Sequence, residues 1–100
     1  MLEIVAEEGN RAHIALRGKI DTMTSSQLGQ YLDGLGNDEI ADATIDMAEC
    51  DFISSAGLRV VIAAQKRAVS SGGNITFLNV RPDVMDVFSM VGFDRILKFG

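Results

Sequence analysis

The sequence predicts a single α/β domain with a mainly parallel mixed sheet, an antiparallel first strand, and helices chiefly on one face. Predicted elements follow in the order strand, strand, helix, strand, helix, strand, helix, strand, and each strand–helix–strand unit requires a right-handed crossover between parallel strands. Alternating apolar and polar residues in the first two strands indicate that one sheet face is left open. One hundred residues is the size of one domain, which we place at residues 1–100.

The chain begins with a predicted hairpin. Apolar and polar residues alternate along residues 2–7 and again along residues 12–17, as in half-buried strands. Residues 8–10, Glu-Gly-Asn, are typical of a turn because Gly and Asn tolerate positive φ. We expect the second strand to end within residues 18–21 and His13 to lie on the open face.

A helix follows the hairpin. The segment from Thr24 to Gln27 fits a capping box, with a hydroxyl at the cap and Gln three residues later. An apolar stripe with helical spacing runs through Leu28, Tyr31, Leu32 and Leu35. We expect this helix to end near Gly34 and Gly36 and residues 37–39 to form a polar link.

The middle of the chain predicts a strand, a turn and a long helix. Residues 43–48 are expected to form the strand, and residues 50–57 the turn. The helix has apolar spacing from Leu58 to Val69 and should end at residues 70–73, where glycine supplies a left-handed residue. Ser54 and Ser55 lie at the helix entry, where a serine is either a plain N-cap or an acceptor placed for phosphorylation.

The C-terminal third predicts a strand, a helix and a short closing strand. The strand covers residues 74–80, and Pro82 occupies the first position of the helix. Gly92 ends that helix, and residues 96–99 form the closing strand. The buried stripe of the helix consists of Val84, Val87, Phe88 and Val91.

Charge and hydropathy exclude several classes of partner. Net charge is −5, and no cluster of basic residues exceeds the pair Lys66 and Arg67, so nucleic acid and anionic membrane surfaces are expected to be repelled. No apolar run approaches the ~20 residues that span a bilayer. The N-terminus lacks the basic segment of a signal peptide. We therefore expect a cytoplasmic protein that does not bind nucleic acid or membranes directly.

The sequence offers no constellation for catalysis. One His and one Cys are too few for a metal site or an internal disulfide, so no metal or cofactor is expected. Cys50 is interpreted as a small buried hydrophobe. Asp46 and Asp51 flank one turn, but nothing in the pattern requires them to converge. We expect the protein not to be an enzyme.

Residues 52–58, Phe-Ile-Ser-Ser-Ala-Gly-Leu, resemble the phosphorylation loop of bacterial anti-sigma-factor antagonists, the STAS domain family. That loop usually contains an aromatic residue, an apolar residue, Asp, Ser, a small residue, Gly and Leu. The resemblance implies that Ser55 is the phosphate acceptor, Ala56 the small residue and Gly57 the glycine. Ser54 stands where the family usually has Asp.

Two further segments carry the same resemblance, which thus extends along the whole chain. Residues 18–21, Gly-Lys-Ile-Asp, are similar to a Gly-x-(Leu/Ile)-Asp step of the family, whose Asp lies beside the phosphorylatable serine. On its own, Asp21 is interpreted as a turn or capping acid, and the resemblance adds the alternative of a surface contact near Ser55. The Pro-led last helix, followed by Gly-Phe-Asp and a short apolar strand, is also how these antagonists end.

The resemblance implies an anti-sigma-factor antagonist in a partner-switching pathway. The unphosphorylated protein would bind an anti-sigma factor that is also a serine kinase, and phosphorylation of Ser55 would release it. The implied partner-binding residues are Asp21, Ser54, Ser55, Ala56 and Gly57. The alternative is a constitutive, non-phosphorylated STAS scaffold subunit, for example of a lipid-transport complex, which the serine at position 54 favours modestly.

Overall fold

The computed structural model describes residues 1–100 and contains one five-stranded sheet covered by four α-helices. The strands are β1 (Leu2–Glu7), β2 (Asn10–Ile20), β3 (Thr44–Ile53), β4 (Thr76–Leu78) and β5 (Lys98–Phe99). The helices are α1 (Thr22–Asp33), α2 (Asn37–Ala41), α3 (Ser55–Ser70) and α4 (Pro82–Met90), and a 3-10 turn covers Phe93–Arg95.

The sheet order is β1-β2-β3-β4-β5. β1 is antiparallel to β2, and the turn between them passes through Gly9 at φ 73°. The other three pairs are parallel, each joined by a connection that contains a helix. This arrangement confirms the predicted mixed sheet with an antiparallel first strand.

The core lies between the sheet and the helices and forms one cluster of 22 buried apolar residues. The ring centroids of Phe77 in β4 and Phe88 in α4 are 6.2 Å apart in an edge-to-face arrangement, which aromatic pairs prefer. The other sheet face carries charge: Arg17 in β2 contacts Glu3 of β1 at 3.7 Å and Glu49 of β3 at 3.0 Å. The helices therefore cover one face, as predicted.

α1 begins earlier than the sequence predicted. Its N-cap is Asp21, whose carboxylate accepts a hydrogen bond from the backbone N–H of Thr24 at 2.8 Å. The N–H of Asp21 donates to the Thr24 hydroxyl, also at 2.8 Å. A capping box therefore exists, but Thr24 is its last residue instead of its first, and the prediction of a cap at Thr24 was wrong.

β3 is longer than predicted because two β-bulges interrupt its alternation. Between the pairs Ala15–Asp46 and Ile20–Ile53, β3 uses two more residues than β2. The extra residues shift the buried positions to Ile45, Met47, Cys50 and Ile53. This irregular spacing reads as the end of a strand after residue 48, so the predicted turn at residues 50–57 shrinks to Ser54.

Smaller differences concern short elements. Residues 37–39 belong to the helix α2 instead of a polar link, and the N–H of Gly36 donates to the Glu39 carboxylate at 2.8 Å at its start. β4 and β5 occupy only part of the predicted residues 74–80 and 96–99. α4 begins at Pro82 as predicted, and its stripe loses Val91, which is exposed.

Candidate functional site

The predicted site residues meet where β2 and β3 end side by side. Ile20 and Ile53 are paired at the ends of these strands, and the N–H of Ser54 donates to the Ile20 carbonyl at 2.8 Å. Asp21 and Ser54 follow this pair directly, and α3 begins at the next residue. We call Ser54–Gly57 the α3 entry. The structure thus brings Asp21 and all four residues of the α3 entry to one corner of the sheet.

Ser54 is the N-cap of α3. Its backbone is extended, with φ −88° and ψ 170°, and its hydroxyl accepts a hydrogen bond from the N–H of Gly57 at 3.1 Å. Its carbonyl accepts the first helical bond, from the N–H of Leu58 at 2.9 Å. The capping interpretation therefore holds for Ser54, whose hydroxyl is committed to the helix.

Ser55 is the first residue of α3 and is exposed. Its hydroxyl has no partner within the chain, and neither do the backbone N–H groups of Ser55 and Ala56. α3 has no acidic residue in its first turn. Unpaired N–H groups and the helix dipole give this end a partial positive charge, so a negative group on Ser55 is electrostatically favoured.

Ala56 lies at the edge of a groove between α1 and α3, whose volume is about 380 Å³. Small side chains line much of it, together with Arg59 and Arg67 of α3 and Asp33 of α1. The small lining residues are Ser25, Ser26, Gly29, Ala56, Ala63 and Ala64. The groove gives the α3 entry a concave neighbour that a partner side chain can enter.

Gly57 is required by packing. It is buried, and a Cβ at this position would lie 2.7 Å from Cγ2 of Ile20 and 2.8 Å from Cγ1 of Ile53. Both separations are shorter than real Cβ contacts allow. Gly57 therefore seats the first turn of α3 directly on the ends of β2 and β3.

Asp21 has a structural task in addition to its position. Hydrogen bonds from the backbone N–H and the hydroxyl of Thr24 lower the pKa of its carboxyl below the usual value. The Thr24 hydroxyl lies 2.7 Å from the Lys19 carbonyl, which ties the start of α1 to β2. The capping role of Asp21 is thus confirmed, whereas its role as a partner contact stays a prediction.

Two exposed apolar side chains flank the corner. Phe52, in the next-to-last position of β3, is 44% exposed, and Met23, in the first turn of α1, is 85% exposed. The Lys19 ammonium lies 5.8 Å from the centroid of the Phe52 ring and 3.3 Å from the Asp51 carboxylate. The sequence placed Phe52 in the family motif but gave no reason to expect its exposure, and Met23 was not singled out at all. The surface beside the α3 entry is therefore partly apolar.

Three further residues that the sequence singled out are engaged in local contacts. Cys50 is wholly buried, as predicted, and desolvation raises the pKa of its thiol. The carboxylate of Asp46 accepts hydrogen bonds from the Ala48 N–H and the Asn79 amide, and the carboxylate of Asp51 contacts Lys19. No three His, Cys, Asp or Glu side chains are grouped so that they would hold a metal ion.

None of the helices has both the length and the apolar character needed to cross a bilayer. The longest, α3, has 16 residues and is amphipathic, with one face packed on the sheet.

Comparison with known proteins places this chain among STAS domains. The family model described as MlaB, STAS domain, matches residues 4–98. BtrV of Bordetella bronchiseptica, which carries the name of an anti-sigma factor antagonist, is 31% identical over 78 residues, or 78% of this chain and 67% of BtrV.

Solved structures agree in fold. An anti-sigma factor antagonist from Mycobacterium paratuberculosis superimposes with a TM-score of 0.78, at 19% identity, covering 99% of this chain and 83% of its own. The anti-sigma factor antagonist SpoIIAA in unphosphorylated form gives 0.73, at 18% identity, covering 100% and 88%. The phosphorylated form of SpoIIAA from Bacillus gives 0.67, at 17% identity, covering 100% and 91%.

Proposed function

The chain belongs to the STAS domain family of anti-sigma-factor antagonists, and we propose that it is the phosphorylatable member of a partner-switching pathway. When unphosphorylated, it uses Asp21 and the α3 entry to bind an anti-sigma factor that is also a serine kinase. Phosphorylation of Ser55 releases it. The observation that carries this proposal is the exposed, unpaired Ser55 hydroxyl at the N-terminus of α3, beside a serine already used as the cap.

The chemistry required at Ser55 is phosphoryl transfer from a nucleoside triphosphate bound to the kinase. The bond from Ser55 Oγ to the γ-phosphorus forms as the bond to the nucleoside diphosphate breaks, and the hydroxyl proton passes to the kinase. The α3 entry supplies access, since Ala56 and Gly57 place little side-chain bulk around the acceptor. Ser54 supplies no carboxylate.

The proposed switch acts on the interface and leaves the fold intact. A phosphate adds about −1.5 to −2 charges at pH 7. Because the start of α3 has no acid of its own, this charge is favoured in the free protein. Against a partner surface the same dianion has to be desolvated, and a penalty of about 2.7 kcal/mol weakens binding a hundredfold.

The relatives support this proposal in two ways. BtrV shares the antagonist name at 31% identity. SpoIIAA has been solved both unphosphorylated and phosphorylated, and this chain superimposes on both forms over its full length. A cytoplasmic location, proposed from the sequence, suits a partner that controls transcription.

The test is phosphorylation by purified candidate serine kinases from the same genome, followed by intact mass. The parent protein should gain about 80 Da, corresponding to one phosphate. Ser55→Ala should gain nothing, whereas Ser89→Ala, which removes an exposed serine of α4, should gain as much as the parent. Undiminished uptake by Ser55→Ala would refute the assignment of the acceptor.

A second candidate is a constitutive scaffold that is never phosphorylated. Ser54 favours it, because no acid lies at the cap position where the family usually has Asp, and the Ser54 hydroxyl is engaged by Gly57. A scaffold would keep its partner when Ser55 is replaced by Glu. Measuring partner binding by Ser55→Glu therefore distinguishes the two candidates: loss of binding supports the switch, and unchanged binding supports the scaffold.

A further inference from the structure

α3 is a basic element in an acidic protein. It contains Arg59, Lys66 and Arg67 and no acidic residue, although the chain carries a net charge of −5. Arg67 is tied to α1, since its guanidinium donates to the carbonyls of Leu32, at 3.0 Å, and Leu35. Among the basic residues of α3, only Arg59 and Lys66 are therefore available to contact an additional negative group.

Arg59 is exposed and makes neither an ion pair nor a hydrogen bond. Among the arginines only Arg95 shares this property, since Arg11, Arg17, Arg67 and Arg81 all donate to carboxylates or carbonyls. Arg59 lines the groove between α1 and α3 together with the small residues Ser26 and Gly29.

Arg59 follows Ser55 by four residues within one helix. Residues at this spacing lie on one face, with Cβ atoms about 5–6 Å apart, and an anion N-terminal to a cation is the favourable order. An Arg guanidinium presents parallel N–H groups that match two phosphate oxygens. A phosphate on Ser55 would thus find a free guanidinium one turn away.

We infer that Arg59 is the intramolecular receptor of a phosphate on Ser55. In the phosphorylated protein its guanidinium donates to the phosphate oxygens and holds the group against the first turn of α3. The inference rests on the proposed phosphorylation of Ser55 and adds a consequence to it. Phosphorylation introduces a negative charge and at the same time occupies the free guanidinium of this surface, so any acidic partner group that uses Arg59 loses it.

The test places phosphoserine at position 55 during translation, so that no kinase is needed, and follows the phosphate by ³¹P NMR against pH. The second pKa of phosphoserine is near 6, and a neighbouring guanidinium lowers it by favouring the dianion. Arg59→Gln should therefore raise this pKa by about 0.3 unit. Arg59→Lys, which keeps the charge, should raise it less.

The matched control is Lys66→Gln. Lys66 lies eleven residues after Ser55, on the same face of α3 but about 16 Å away along its axis. Lys66→Gln therefore removes the same charge as Arg59→Gln without removing a contact to the phosphate. At physiological salt, screening leaves little effect at that distance. The other charged groups of this corner and of the groove, Lys19, Asp21, Asp33, Asp51, Arg67 and the N-terminal amine, are the same in all variants.

Equal pKa shifts in Arg59→Gln and Lys66→Gln would overturn the inference, because they would show only general electrostatics. A phosphoserine protein that fails to fold would overturn it as well, since the pair needs an intact α3. The proposed function is judged separately, by kinase assays on the unmodified protein. The NMR experiment can therefore show that Arg59 holds the phosphate even if no kinase acts on Ser55. Conversely, the kinase assay can show phosphorylation of Ser55 even if Arg59 does not hold the phosphate.

Discussion

α1 and α3 begin at neighbouring strand ends, yet their first turns are built differently. At α1, the charged cap Asp21 and the Thr24 side chain satisfy one another's backbone groups, each at 2.8 Å. At α3, the neutral cap Ser54 makes one bond, at 3.1 Å, and the corresponding third position is Gly57, which has no side chain to return it. The chain supplies negative charge at the start of α1 and omits it at the start of α3. We call the start of α1 at Asp21 the closed end and the start of α3 at Ser54 the open end. The open end, which has no negative charge of its own, is therefore the one suited to an added negative group.

The largest expected effect comes from placing a permanent charge at the open end. Ser55→Glu should weaken binding of the kinase partner about a hundredfold, because the carboxylate has to be desolvated in the interface. Its melting temperature should stay within a few degrees of the parent, since an acid at a helix N-terminus stabilises by ~0.3–1 kcal/mol. Isothermal titration calorimetry and thermal denaturation measure the two quantities.

The matched control for this change is Ser55→Gln, which has the same shape without the charge. It should bind the partner far better than Ser55→Glu. Equal losses in both variants would indicate that size, not charge, disrupts the interface. Unfolding of Ser55→Glu would show that the start of α3 does not tolerate negative charge, and the proposed mechanism would then be wrong.

A second change breaks the seating of α3 on the strands. Gly57→Ala should lower the free energy of unfolding by about 1–3 kcal/mol, because the new methyl group would overlap Ile20 and Ile53. Gly29→Ala in α1 is its counterpart: there a Cβ would lie 3.5 Å from Cγ2 of Val60, an ordinary contact. Urea denaturation should find Gly29→Ala as stable as the parent or more so, because alanine favours helix. Similar losses in both variants would contradict the packing role of Gly57.

A third change removes the charge from the closed end. Asp21→Asn keeps an N-cap but loses the carboxylate, so it should be less stable than the parent at neutral pH. Because the folded-state pKa of Asp21 lies below the ordinary aspartate value of 3.8, the stabilisation by the carboxylate is fully present above that value. Its contribution is lost as the pH falls through the folded-state pKa.

The measurement is denaturant unfolding of parent and Asp21→Asn from pH 7 to pH 2. The two curves should be separated at neutral pH and converge under acid conditions. Ser54→Ala, at the other helix, should instead lose a pH-independent amount of about 1 kcal/mol, since its cap is neutral. A separation between parent and Asp21→Asn that does not narrow at all as the pH falls below 3.8 would show that the carboxylate is not what stabilises α1.

The smallest expected effect on stability comes from making the open end resemble the closed one. Ser54→Asp should hardly shift the melting temperature, because Ser and Asp are near-equal N-caps. It should, however, speed phosphorylation of Ser55 by placing a carboxylate beside the acceptor, where acids help to orient phosphoryl transfer. Single-turnover rates at saturating kinase compare the two proteins, and equal rates would leave Ser54 with capping alone.

Much of the fold was predictable, because most helices and strands have a recognisable pattern in their own local sequence. The alternation along β2, the apolar spacing of α3 and the proline at the start of α4 all led to elements that the structure contains. Elements whose formation depends on tertiary contacts were missed. β3 continues through residues 50–53 only because its bulges re-register it against β2, and α2 is a single short turn held by Glu39 and the buried Ile40.

The sequence predicted residues that the structure brings to one corner, but it did not predict which serine caps α3. The residue pattern alone left Ser54 and Ser55 each as a cap or an acceptor, and in the structure Ser54 caps the helix and Ser55 is exposed. Which serine caps depends on where β3 ends, and the bulges hide that position. Neither the exposure of Met23 nor the absence of a partner for Arg59 has any sequence signal, because both depend on what the fold leaves uncovered.

The close seating of Gly57 bears on the speed and reversibility of the proposed switch at Ser55. Because backbone and side-chain atoms of β2 and β3 lie against its first turn, we expect α3 to keep its position when a charge is added at Ser55. The proposed phosphorylation of Ser55 therefore acts locally, as a change in surface potential without stored mechanical work. Its reversal needs only a phosphatase and no refolding step, so the proposed switch can be reset as quickly as its enzymes turn over.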